Sequence, residues 1–150
     1  MPKDNKVIVY TDGGSRGNPG PAAVGVVVCN GSGQKIKEYN QVLEEISTNN
    51  EAEYEAVIFA LKKLKQLFGK EKTQNLDVEF RVDSELVASQ LGGEYKVNEE
   101  RMQLLFMKVW NLKFDFGKLF FKSIPREKNK RADELVNEAL DGRGTNEKLL

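Results

Sequence analysis

Val7-Ile8-Val9-Tyr10-Thr11-Asp12-Gly13-Gly14-Ser15-Arg16-Gly17-Asn18-Pro19-Gly20-Pro21 runs from a β-branched apolar segment into an acidic residue and then into a glycine-rich stretch. The apolar run is too short for an ordinary helix and is rich in strand-favouring residues, so it reads as a strand with Asp12 at its carboxyl end. Four glycines between Gly13 and Gly20 carry no side chain and permit positive φ, and Asn18-Pro19-Gly20 carries turn chemistry. Backbone of this kind can approach a ligand closely, which makes Asp12 a candidate first metal ligand. Asp-Gly after a strand is equally a hairpin signal. The rest of the chain has to decide between the two.

The sequence has 150 residues and no break in composition, so it reads as one domain, large enough to bury a core without metal or disulfide staples. The core is expected over about residues 6–141, with a polar, frayed tail over 143–150. The single Cys29 lies in a strand-like apolar run and reads as a buried thiol in a reducing compartment. There is no histidine. Its absence excludes Ser-His-Asp and Cys-His hydrolases, His-ligated zinc and a histidine general base. A polar start and a longest apolar run of only Ala22 to Cys29 give no membrane segment, and the expectation is a soluble, cytoplasmic monomer.

Net charge is zero, from 23 basic and 23 acidic residues, so whole-chain charge carries no argument for nucleic-acid binding. The distribution says more. Residues 51–100 hold 11 acids and 7 bases, whereas 101–150 hold 11 bases and 7 acids. Lys118, Lys122, Arg126, Lys128, Lys130 and Arg131 have only Glu127 as a local acid. Such a run is either a solvated loop or a face that holds phosphates.

In chain order, Val24 to Cys29 reads as a buried strand, Asn30-Gly31-Ser32-Gly33 as a hairpin turn, and about 35–43 as a third strand, which together form an antiparallel meander. Thr48 and Glu51 have capping-box spacing, opening a helix that runs to Phe68 and stops at Gly69. Its apolar stripe is Val57, Leu61, Leu64 and Phe68. Glu53 falls on that stripe, so a carboxylate points inward in the first turn. Leu76 to Val82 alternates as a half-buried strand and leads into a short helix over 83–91 capped by Asp83 or Ser84, so Asp83 ends a second strand. After Gly92 to Val97, Asn98 caps a helix whose Met102, Leu105, Phe106, Val109 and Leu112 carry the helical period. The strand Leu119 to Ile124 ends at Pro125, and the basic loop 126–131 leads to a final helix, Ala132 to Leu140, closed by Asp141-Gly142. There Asp133 is in phase with Val136 and Leu140, a second carboxylate on an apolar stripe.

This order of elements gives an α/β domain with a mixed sheet. Asp12 and Asp83 end strands while Glu53 and Asp133 begin helices, positions that can gather at one edge of such a sheet. Four converging carboxylates would repel one another and raise each other's pKa, a conflict that divalent cations resolve. All-oxygen donors favour Mg²⁺ or Mn²⁺ over zinc or copper. Two ions about 3.5 to 4 Å apart would allow phosphoryl hydrolysis without histidine.

The chain resembles a type 1 ribonuclease H. The matching motifs are Tyr-Thr-Asp-Gly-Gly-Ser-Arg-Gly-Asn-Pro-Gly-Pro at 10–21, Thr-Asn-Asn-Glu-Ala-Glu at 48–53, Val-Asp-Ser-Glu at 82–85 and Asn-Lys-Arg-Ala-Asp at 129–133. The resemblance implies an RNase H-like fold, with a five-stranded mixed sheet of three antiparallel and two parallel strands flanked by about four helices. It implies endonucleolytic cleavage of the RNA strand of an RNA/DNA hybrid, giving a 5′-phosphate and a 3′-hydroxyl. Asp12, Glu53, Asp83 and Asp133 would be the metal-binding catalytic quartet, with Mg²⁺ as cofactor and Mn²⁺ as substitute. Gly14, Ser15, Asn18, Thr48, Asn49, Asn50 and Ser84 would contact the hybrid, where 2′-hydroxyls distinguish RNA from DNA. Two departures stand out. The histidine that some members carry before the final helix is replaced by Pro125-Arg126-Glu127-Lys128-Asn129-Lys130, and the basic, aromatic-rich protrusion of other members is reduced to 92–97. Rival readings are a module that grips hybrids without cutting and, on topology alone, an actin-like ATP-binding domain. The first predicts loss of a carboxylate, and all four are present; the second normally needs two such domains.

Overall fold

The computed structural model describes residues 5–149, with side chains through residue 142. Five strands form one sheet in the order β3-β2-β1-β4-β5: β1 (Lys6–Ser15), β2 (Ala22–Asn30), β3 (Lys35–Val42), β4 (Asp77–Val82) and β5 (Lys118–Ser123). The first three pair antiparallel, and β4 and β5 run parallel to β1 and to each other. The expected mixed sheet is present. The helices are α1 (Asn49–Phe68), a four-residue α2 (Lys70–Thr73), α3 (Glu85–Leu91), α4 (Glu100–Lys113) and α5 (Lys130–Leu149). Four of them were expected, and α2 is the addition. The turn between β2 and β3 forms where Asn30 predicts it: its side-chain oxygen accepts from the Ser32 and Gln34 amides, and Gly33 takes a φ of 92°.

Strand alternation sorts β1 between two layers. Val7 and Val9 enter a large apolar cluster with Val26, Val28, Tyr54, Leu61, Leu64, Val78 and Phe80, covered by α1, α3 and α4. Ile8 instead joins a small cluster of Val27, Cys29 and Leu135, with Tyr10 packed beside it, under α5. By the same period-two rule Asp12 lies on the α5 side and Gly13 on the α1 side.

Three boundaries differ from expectation, and a fourth is decided between two candidates. β1 does not end at Asp12; Gly13, Gly14 and Ser15 continue the ladder opposite Val24, Ala23 and Ala22. The reason is the antiparallel partner, which supplies hydrogen bonds past the point where β4 stops. Helix α4 is capped by Glu99 rather than Asn98, with no side-chain capping bond. Of the two candidates for α3, Ser84 is the cap, its hydroxyl accepting from the Val87 amide. Helix α5 passes through Asp141-Gly142 to Leu149, because a glycine inside a helix costs only about 1 kcal/mol and does not by itself end one. The expected fraying of 143–150 lies outside the residues whose side chains are described.

Candidate active site

Each acidic residue reaches the site by a different local rule. In the parallel pairing of β1 with β4, Tyr10 lies opposite Arg81; Asp12 and Asp83 each follow two residues later, so they project side by side beyond that pairing. Glu53 comes from the first turn of α1. Thr48 caps this helix through a complete capping box, its hydroxyl accepting from the Glu51 amide while the Glu51 carboxylate accepts from the Thr48 amide. Arg101 of α4 holds the other Glu51 oxygen at 2.9 Å. With its entry fixed in this way, α1 lies against β1 so closely that a Cβ on Gly13 would sit 2.0 Å from the Ala52 carbonyl oxygen. Glycine is required there for helix-to-strand contact. The backbone approach expected toward a ligand is therefore spent, at Gly13, on α1.

That contact delivers Glu53 to its place. The Gly13 amide donates to Glu53 Oε1 at 3.2 Å, and carboxylate oxygens of Asp12, Glu53 and Asp83 lie within 4.8 Å of one another. Asp12 and Glu53 are buried and Asp83 is half-buried. Asp133 falls outside this tight triad. It borders Asp12 from α5 and is exposed, whereas its phase with Val136 and Leu140 predicted an inward carboxylate. Asp133, Val136 and Leu140 all line the cleft beside Asp12, so this side of the stripe meets the cleft instead of the core.

Burial and the like charges of Asp83 and Asp133 push the Asp12 carboxyl up to about 8, against a weaker opposing pull from Arg126. Glu53 is raised well above the usual carboxylate range by burial and by the neighbouring Asp12 and Asp83. Three carboxylates at this spacing make a donor set suited to a hard divalent cation.

The triad and Asp133 line a cleft of about 510 Å³ with Gly14, Ser15, Asn49, Asn50, Ser84, Arg126 and Asn137. The residues expected to meet substrate are partly committed to the fold. Asn18 Oδ1 accepts from the Asn49 amide at 3.0 Å, and Asn49 Oδ1 accepts from the Ser15 amide and hydroxyl at 3.0 and 3.1 Å. This interlock fixes the loop after β1 to the start of α1. Asn18, Asn49 and Asn50 remain exposed. Thr48 and Ser84 have their hydroxyls engaged as caps, and Thr48 is not among the cleft-lining residues.

Two residues at the site escaped the sequence reading. Arg126 appeared only as one member of a basic run, yet with Arg16 it lines the acidic cleft, where its charge opposes the rise at Asp12. Asn129, quoted within a motif, is almost completely buried beneath the site and donates to the Thr11 carbonyl at 2.9 Å. A polar residue just before a helix start reads as a cap, and nothing local signals such a distant partner.

The seat of α5 determines where Asp133 stands. Gly25 of β2 permits close approach, since a Cβ there would lie 2.4 Å from the Ala132 carbonyl oxygen. Asn40 donates to the Leu135 carbonyl at 2.9 Å. Arg131 grips both oxygens of Glu38 at 2.8 and 3.0 Å, which holds the Glu38 carboxyl down at about 2. Arg16 reaches Asp141 at 2.8 Å.

Over residues 10–139 the chain matches the family described as Reverse transcriptase-like. It is 40% identical to Ribonuclease HI of Halobacterium salinarum over 139 residues, covering 93% of this chain and 66% of the relative. It is 34% identical to the bifunctional protein Rv2228c of Mycobacterium tuberculosis, covering 91% of this chain and 36% of the relative. The chain therefore spans about two thirds of the first relative's length and about a third of the second's. Among solved structures, LC11-RNase H1 in complex with an RNA/DNA hybrid superposes with a TM-score of 0.86 at 47% identity, covering 91% of this chain and 98% of that one. RNase H1 of Halobacterium salinarum NRC-1 gives 0.83 at 39% identity, with 91% and 98% covered. With the motifs in order, the mixed sheet in place and this agreement over nearly the whole chain, the protein belongs to the type 1 ribonuclease H family.

Proposed function

We propose that this protein is a metal-dependent endoribonuclease that cleaves the RNA strand of RNA/DNA hybrids by two-metal-ion phosphodiester hydrolysis, leaving a 5′-phosphate and a 3′-hydroxyl. The observation that carries the reading is the approach of the Asp12, Glu53 and Asp83 carboxylates to within 4.8 Å of one another in a cleft. Asp12, Glu53, Asp83 and Asp133 would hold Mg²⁺, with Mn²⁺ as substitute. Bound divalent cations supply Lewis-acid charge that makes a water nucleophilic near neutral pH and stabilises the departing oxygen.

The chain's own residues do the rest. Asp12 and Glu53, buried and rigidly seated, fix the donor geometry, and the exposed Asp133 closes the set from the solvent side. Arg126 offers a positive charge at the rim for a phosphate. Ser15, Asn18, Asn49 and Asn50, with Gly14 backbone and Ser84, form a rim of neutral hydrogen-bonding groups suited to the 2′-hydroxyls and base edges of a hybrid groove. The cytoplasm is the proposed setting, and a monomer the working unit. No helix among the described residues is long and apolar enough to cross a membrane.

Incubation with labelled RNA/DNA hybrid and Mg²⁺, beside duplex DNA, duplex RNA and single-stranded RNA, tests the reading. The expected result is cleavage of the hybrid's RNA strand alone; intact hybrid at high protein concentration with either Mg²⁺ or Mn²⁺ refutes it. Asp12→Asn should abolish cleavage while preserving or strengthening hybrid binding, because it removes ligand charge and repulsion toward phosphate together. Full activity in that variant would remove Asp12 from the metal site.

A further inference from the structure

We infer that Asn129 is a positioning residue that holds the carboxylates as one set, an inference that rests on the proposed function. It belongs to no apolar cluster and to no ion pair, yet it is 1% exposed. Its side-chain amide donates to the Thr11 carbonyl at 2.9 Å, in the peptide that leads into Asp12. The same nitrogen reaches Asp83 Oδ2 at 3.4 Å. Its own carbonyl accepts the Asp133 amide at 3.1 Å, the first helical bond of α5. Its backbone amide closes the short 3-10 turn Arg126–Lys128 by donating to the Arg126 carbonyl at 2.9 Å. One side chain and its peptide groups thus touch the segments that carry Asp12, Asp83, Asp133 and the rim cation.

The chemistry of the contacts fixes the amide's orientation. Both neighbours of Nδ2 are acceptors, a carbonyl and a carboxylate, so only the NH₂ group can face them. Oδ1 is left buried with no hydrogen-bond partner among the described residues. An asparagine kept for the fold alone would be expected to satisfy both ends. Here the donor is retained although the acceptor end gains nothing, which points to the Asp83 and Thr11 contacts as the reason for the residue. The neutral donor at Asp83 Oδ2 selects one rotamer of the carboxylate, as outer hydrogen bonds do for metal-ligating carboxylates in general.

Asn129→Leu and Asn129→Ala separate this role from space filling, since leucine overfills the buried site and alanine underfills it, while both remove the same side-chain hydrogen bonds. In both variants kcat should fall by about tenfold to a hundredfold while KM for the hybrid stays within about twofold. Calorimetric titration of the substrate-free protein with Mn²⁺ should show affinity weakened by a comparable factor. An Asn129→Leu protein with wild-type kcat and Mn²⁺ affinity overturns the inference, and so does a loss confined to KM. If neither variant folds, the wild-type protein decides. The Asn129 side-chain amide resonance should shift during Mg²⁺ titration in step with site occupancy, and a resonance unmoved at saturation overturns the inference. Wild-type protein that neither binds Mn²⁺ nor cuts hybrid refutes the proposed function, and this inference falls with it.

Discussion

The two faces of the sheet are built on different principles. On one, α1, α3 and α4 close over a continuous apolar cluster that includes fully buried Tyr54, Phe80, Leu61 and Leu64. On the other, among the described residues, Leu135 of α5 packs in a small cluster with Ile8, Val27 and Cys29, with Tyr10 beside it, and polar contacts join the helix to its surroundings: Arg131 on Glu38, Asn40 on the Leu135 carbonyl, and Arg16 on Asp141. The acidic site straddles both. Glu53 is anchored in the apolar layer, whereas Asp133 rides on the helix that salt and solvent can loosen. One half of the site is thus anchored in the core, and the other half is carried by a helix seated on the thinner layer.

The largest expected effect comes from breaking the thick layer. Gly13→Ala places a Cβ into the Ala52 carbonyl, and neither β1 nor α1 has slack to yield. A loss of about 3 kcal/mol in urea unfolding is expected, with cleavage abolished. Gly25→Ala imposes a similar clash with the Ala132 carbonyl, but α5 can ride outward on its polar contacts. A smaller loss of about 1 kcal/mol is expected, with kcat reduced because Asp133 moves with the helix. Equal losses in the two variants would erase the distinction between the faces.

A third measurement addresses the seam between the layers. Asp12 is raised to about 8 from an unfolded value near 3.8. A raised folded value means that this group's stabilising contribution is full below pH 3.8 and is lost as pH rises toward and through about 8. Metal-free protein should therefore lose stability from this cluster between pH 5.5 and pH 8. Saturating Mg²⁺ should restore it, raising the melting temperature by about 3 °C more at pH 8 than at pH 5.5. Calorimetric scans with Mg²⁺ or with chelator check this, and an equal shift at both values would sink it. The smallest stability effect belongs to Arg131→Ala. Its exposed bonds to Glu38, Glu134 and Glu138 contribute little to unfolding, so the melting temperature should hardly move. The variant's kcat should nevertheless fall more steeply with added salt than that of wild type, because the remaining contacts that seat α5 are screened. Parallel salt profiles for the two proteins would show that Arg131 does not seat Asp133.

How much of this was legible depended on whether a residue's partners are local. Glu53 was visible as an acid breaking an apolar stripe, because helical phase is a property of neighbouring residues, and it proved buried. Thr48 and Glu51 revealed the start of α1 for the same reason. The same phase rule misjudged Asp133, since a stripe says which face is covered but not how far the covering extends along the helix. The end of β1 was misplaced because the ladder past Asp12 belongs to β2, a partner that the sequence of β1 does not name. Gly13, Gly25 and Asn129 were opaque in their roles: each answers to a backbone atom on another element, and only the tertiary approach creates the demand.

The interlock of Ser15, Asn18 and Asn49 has a consequence for the polarity of the rim. Both asparagines direct their carbonyl oxygens inward, to the Asn49 amide and to Ser15, so turning either amide over would set a donor against a donor. The outward group is consequently NH₂ in every molecule, fixed before any ligand arrives. A nucleic-acid groove lined with hydroxyl oxygens and ring acceptors meets a surface that has already chosen its sign. Recognition at this edge then costs no amide reorientation.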